Sequence, residues 1–134
     1  MTRIVVPVRY PLSKHSKRTL SEALSIAADR EGELTVLHVN LYQNGKTVTR
    51  SALKRAVEGE FGDLSNVRYA VRTGFLVEES ILEEVAAEDA DVVVIGHKQV
   101  GRWRRVLRRI LDEPDIERYL KQRLSCQIVT VGLD

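Results

Sequence analysis

Asp91-Val-Val-Val-Ile-Gly96, continued by His97-Lys-Gln-Val-Gly101 and the arginine-dense Arg102-Trp-Arg-Arg-Val-Leu-Arg-Arg-Ile-Leu111, decides the fold of this chain. The apolar run reads as a strand covered on both faces, as strands of parallel sheets are. It delivers a glycine loop, and in open α/β sheets that loop is where ligands sit, because backbone amides at a strand's carboxyl end converge on an anion. Asp112-Glu-Pro-Asp115 follows directly, and its carboxylates would repel the same anion.

Working outward, the other segments fall into the same alternation. Ile4 to Val8 is a β-branched run with Pro7 placed near the strand's exit, where a missing ladder donor does least harm. Ser16 is read as the N-cap of a helix carrying Leu20, Ala23, Leu24 and Ala27, which Gly32 stops. Leu34 to Val39 is a second, nearly continuous apolar strand. Asn44-Gly45 marks a hairpin or looped excursion between Asn40 and Thr49. A helix over Thr49 to Phe61, ended by Gly62, precedes an alternating strand, Val67 to Val71, and a helix over Val77 to Ala87. A last helix from Pro114 to Arg123 leads to a fifth strand, Cys126 to Val131. Strands alternating with helices predict a parallel sheet with right-handed crossovers and helices on both faces.

Composition bounds the function. The 134 residues fit one domain, 1–134, and 43% hydrophobic with 30% charged residues belongs to an ordinary folded protein. A net charge of +2 does not favour nucleic acid as a partner. Cys126, the only cysteine, rules out an intramolecular disulfide and a multi-cysteine metal site and suits a reducing compartment. With neither a signal-peptide core nor an apolar run near the roughly 20 residues that span a bilayer, the expected location is the cytoplasm, without membrane contact.

Ser16-Lys-Arg-Thr-Leu-Ser-Glu-Ala-Leu-Ser-Ile-Ala with Glu33 to Val39, Arg72-Thr-Gly74, Glu79-Ser-Ile-Leu, Ala90 to Gly96 and Cys126 to Val131 together resemble the universal stress protein superfamily. The resemblance covers nearly the whole chain in order and is weakest between Asn40 and Asn66. It implies an adenine nucleotide alpha hydrolase-like α/β fold, a single five-stranded parallel sheet of order 3-2-1-4-5, and a homodimer through the strand Cys126 to Val131. That strand would otherwise be an exposed apolar edge. Members divide into ATP binders and non-binders by a phosphate motif after the fourth strand: Gly, two residues, Gly, nine residues, then Gly with Ser or Thr. Many binders also carry an acidic residue after the first strand.

This chain departs from that pattern. Gly96 matches the first glycine, but Gln99 stands at the second, the next glycine is Gly101, no Gly-Ser or Gly-Thr occurs from Arg102 to Ser125, and Arg9 replaces the acid. Side chains in place of glycine keep backbone amides away from phosphate oxygens. The resemblance therefore implies a binding or regulatory module with weak or no ATP binding, and ATP or another adenine nucleotide as the candidate ligand. By family position, Pro7, Val8, Arg9 and Val39 would line the base side of the cleft. Gly96, His97, Lys98, Gly101 and Arg102 would line the phosphate side. The alternatives are a slow nucleotide hydrolase or phosphotransferase in the same cleft, and a protein-interaction module using the basic face from Arg102 to Arg109.

The other candidates carry less chemistry. Arg102, Arg104, Arg105, Arg108 and Arg109 with Lys98 suit either a modified anion pocket or, the preferred reading, the wet face of a helix whose apolar side is Trp103, Val106, Leu107, Ile110 and Leu111. His38 reads as a hydrogen-bonded core histidine, not a metal ligand, and His15 and His97 as loop histidines at the sheet's carboxyl edge. Cys126 reads as an inert thiol, and Ser13 and Ser16 as hydroxyls near the anion site with Ser16 committed to capping. Glu78, Glu79, Glu83, Glu84 and Glu88 read as the solvated face of their helix.

Overall fold

The computed structural model describes residues 2–99, 101, 102 and 126–132. The elements are β1 (Arg3–Pro7), α1 (Lys14–Asp29), β2 (Glu33–Leu41), a 3-10 turn (Tyr42–Asn44), α2 (Arg50–Phe61), β3 (Val67–Gly74), α3 (Val77–Ala87), β4 (Val92–Gly96) and β5 (Gln127–Val131). The five strands form one sheet of order β3-β2-β1-β4-β5, parallel at every pairing. The expected helix Pro114 to Arg123, the apolar face from Trp103 to Leu111 and the carboxylates of Asp112 to Asp115 lie outside the described residues.

Strand alternation splits the core in two. Ile4, Val6, Leu34, Val36, Val92 and Val94 point to the face covered by α1 and α2, where they meet Leu20, Ala23, Leu53 and Val57. Val5, Leu37, Val93 and Ile95 point to the other face, against Ile81 and Val85 of α3 and Cys126. Continuous valine runs are what a sheet with two buried faces requires. Burial pushes the Cys126 thiol up to about 11, with the nearby Asp91 carboxylate adding to it.

Several boundaries differ from the sequence expectation, each for a local reason. Helix α1 is capped by Ser13, not Ser16. Ser13 is extended and its Oγ accepts from Ser16 N, while Ser16 Oγ turns back to accept from Arg9 N at 3.0 Å. The left-handed residue after α1 is Glu31. Gly32 serves a different need: a Cβ there would lie 2.7 Å from the Thr2 carbonyl oxygen, which accepts from Glu33 N. Asn44-Gly45 makes no hairpin. Gly45 is left-handed after the 3-10 turn, and Asn40 ties the excursion back through two 3.0 Å bonds to the backbone of Val48. Helix α2 keeps its expected bounds: Thr49 caps it, accepting from Ala52 N, and Gly62 (φ 81°) ends it.

The glutamates of α3 are not uniformly wet. Glu78 and Glu84 are buried and Glu88 is half-buried, because β2, β3 and the turn after β4 present polar partners to them. Arg72 of β3 grips Glu84 through Nε and reaches Glu83 through Nη1. Thr35 Oγ1 donates to Glu88 Oε1 at 2.6 Å.

Candidate functional site

The sheet opens between β1 and β4. β1 pairs with β2 over its whole length, from Arg3↔Glu33 to Pro7↔Leu37, but with β4 only at Ile4↔Val92 and Val5↔Val93. Pro7 accounts for part of this. Val8 N donates to Leu37 O in β2, and successive amides alternate sides, so the nitrogen of Pro7 faces β4 and has no hydrogen to offer there. The two strands part at their carboxyl ends. This is the point where the strand order reverses, and crevices in open α/β sheets form at such points.

A cleft of about 760 Å³ occupies that opening, within the general ligand-pocket range of about 300–1,000 Å³. Its wall includes Pro7, Val8, Arg9, Val39, Gly96, His97, Lys98 and Arg102, so of the residues expected from family position all but Gly101 are brought together. The expected glycine loop is absent, however. Residues 97–99 and 101–102 run helically straight off β4, and Gln99 Nε2 donates to the buried Glu78 carboxylate at 3.2 Å, joining this turn to the start of α3. A Cβ at Gly96 would meet only ordinary contacts, with Thr19 Oγ1 at 3.7 Å, and one at Gly101 would meet nothing. Neither glycine is required by packing against the described residues.

Sequence reasoning missed part of the wall. His38 is half-buried and lines the cleft, where its Nδ1 donates to Val8 O at 3.1 Å and Tyr10 stands edge-on to its ring. That bond, with Val8 N on Leu37 O, pins the end of β1 to β2 from both of its backbone groups. Tyr10, Arg18, Thr19 and Gly132 also line the space, beside Ser13 and Ser16, whose hydroxyls were expected there. The signal available in the sequence was position: His38 lies one residue beyond Leu37, the partner of Pro7, and hence at the strand's mouth.

The electrostatics are one-sided. All three histidines of the chain, His15, His38 and His97, share the cleft with Arg9, Arg18, Lys98 and Arg102, and no lining residue among those described is Asp or Glu. His97 lies over Gly132, where a Cβ would come within 3.5 Å of its Nε2. No group of three or more His, Cys, Asp or Glu among the described residues is placed to hold a metal ion. No helix among them is long and apolar enough to cross a membrane.

A second polar cluster sits at the opposite end of the sheet, around a hollow of about 160 Å³ lined by Arg3, Glu33, Thr35, Arg68, Ala87 and Glu88. With both carboxyls ionised, Glu88 Oε2 is buried without a donor; protonated, it donates to Glu84. Burial and that bond to Glu84 push the Glu88 carboxyl up to about 7. Burial acts on Glu84 in the same direction, but the bonds from Glu88 and Arg72 outweigh it and hold its carboxyl below the usual range.

Fold and cleft together define a doubly wound parallel α/β protein with a basic crevice at its switch point. The chain belongs to the universal stress protein family, whose sequence model matches residues 1–113. Among solved structures it is similar to a universal stress protein from Archaeoglobus fulgidus, at 18% identity and TM-score 0.64 over 97% of this chain and 98% of the other. It is also similar to UspA from Lactobacillus plantarum (16% identity, TM-score 0.58, 97% of each chain). A universal stress protein solved in complex with cAMP aligns at 17% identity and TM-score 0.60 over 95% of each. At these identities the likeness is one of fold. No curated protein sequence matches the chain.

Proposed function

We propose that this chain is a single-domain binding module, 1–134, that takes a small anionic ligand of the nucleotide class in the β1/β4 cleft and performs little or no chemistry on it. The observation that carries the reading is the cleft wall: cations and histidines, hydroxyls and an apolar floor, with no carboxylate among the described lining residues. Cationic side chains hold phosphate oxygens through charge-assisted hydrogen bonds. A hydrolase would need a group to activate water and, in the usual phosphoryl-transfer design, an acidic metal ligand. Arg9 stands where many nucleotide-binding relatives carry an acid. The helical turn after Gly96 replaces a loop that would wrap phosphates in backbone amides, so side chains carry the recognition and ATP binding is weak. The cAMP complex of a relative supports a nucleotide as the ligand class.

The same reading includes a homodimer through β5. That strand is at the sheet edge and its residues Ile128 to Val131 are half-buried, so a second copy would cover both the apolar side chains and the open ladder. The lone cysteine fits the cytoplasm as the site of action.

The test is mass spectrometry of small molecules released from the purified protein, paired with thermal shifts against ATP, AMP, cAMP and inorganic phosphates. A ligand at 100 times its Kd stabilises by about 2.7 kcal/mol, and Arg9→Ala with Lys98→Ala should abolish the shift. No shift with any phosphate-bearing ligand would overturn the reading.

A further inference from the structure

We propose that the cleft selects the metal-free form of a polyphosphate anion over its magnesium complex. The inference rests on the anion-site reading above and adds the charge state of what the site takes. Arg9, at the exit of β1, and Lys98 and Arg102, in the helical turn after β4, approach the space from two sides. None of the three makes an ion pair with a described residue. They are cations held at a cleft without a counter-charge among its described lining residues.

Magnesium is a hard cation that asks for octahedral oxygen ligands, and proteins that bind a magnesium polyphosphate commonly supply one or two carboxylates beside the phosphates. No described residue of this wall supplies one. Of its hydroxyls, Ser13 Oγ accepts from Ser16 N, Ser16 Oγ accepts from Arg9 N, and Thr19 Oγ1 donates to His15 O at 2.8 Å, and the neutral side-chain oxygens of the wall bring no negative charge to set against the metal's. A bound magnesium ion would also cancel two of the ligand's negative charges and occupy the phosphate oxygens that Arg9, Lys98 and Arg102 would grip. Discrimination then comes from the mismatch: the complexed ligand leaves the cleft's cations without partners, and the cleft leaves the metal without a protein ligand.

The test is calorimetric titration of the full-length protein with ATP, and separately with inorganic tripolyphosphate, in EDTA and in excess magnesium chloride at matched ionic strength. We expect binding in magnesium to be weaker by about tenfold, equivalent to about 1.4 kcal/mol. Arg9→Asp, at an exposed loop position, should weaken the metal-free form more than the complex and narrow that ratio, with a thermal melt checking that the variant folds. Equal or tighter binding in magnesium would overturn this inference and leave the anion site standing. If neither probe binds in either buffer, the anion-site reading itself fails and this one with it.

Discussion

Replacing Glu88 by glutamine should stabilise the protein at pH 8 and leave it nearly unchanged at pH 4. The carboxyl of Glu88 is lifted from an ordinary 4.5 to about 7 by burial and by the bond it donates to Glu84. In the unfolded chain it ionises near its ordinary value. Stability from the protonated carboxyl is therefore fully present below about pH 4.5 and is lost as the pH rises to about 7. At about 1.36 kcal/mol for each pH unit the full span is about 3.4 kcal/mol, and solvent screening of a half-buried group brings the expected loss to about 2 kcal/mol. The side-chain amide of the Glu88→Gln variant would keep an oxygen to accept from Thr35 Oγ1 and an NH2 to donate toward Glu84, so it imitates the protonated form at every pH. Urea unfolding of both proteins at pH 4, 6 and 8 should give a difference that grows from near zero to about 2 kcal/mol in favour of the variant. A difference independent of pH, or a variant less stable at pH 8, would refute the shared-proton account. Glu84 answers in the opposite direction, because its lowered carboxyl stabilises when ionised and loses that contribution as the pH falls. Glu84→Gln should accordingly destabilise at neutral pH and bring the titration of Glu88, followed by NMR, back toward the usual range.

Three further outcomes are expected. Gly32→Ala should lower stability by about 1–3 kcal/mol in urea unfolding, since its Cβ would press on the Thr2 carbonyl oxygen at the β1–β2 junction. Asn40→Ala removes both bonds to Val48 and leaves its amide and carbonyl without them; a loss of about 2 kcal/mol, with faster hydrogen exchange at Val48, is the predicted result. Cys126, 1% exposed and with its thiol pushed up to about 11, should react with a thiol reagent at pH 8 only at the rate of opening, and rapidly in concentrated guanidinium.

The sheet was legible in the sequence because its signal is local and repeated. Aliphatic runs at 4–8, 34–39 and 91–96, separated by helical periods and glycine or proline punctuation, admit little besides a parallel α/β arrangement. The carboxyl-edge residues Pro7, Val8, Arg9, Gly96, His97, Lys98 and Arg102 followed from family position, and the fold does set them around one space. Capping by Ser13, the buried glutamates of α3 and the place of His38 were not legible. Each depends on a partner outside its own element: Ser16 on Arg9 N, Glu84 on Arg72, His38 on Val8 O.

Residue order by itself determined the alternation of strands and helices, the five-stranded parallel class and the loss of the phosphate motif's spacing, since periodicity and glycine positions are properties of a linear string. Only the tertiary structure decided that His15, His38 and His97 share one carboxylate-free wall among the described residues, and that Glu84 and Glu88 face each other over Thr35 and Arg72. Charge and proton affinity depend on distance and burial in space, and those are set when the strands of the sheet are laid side by side.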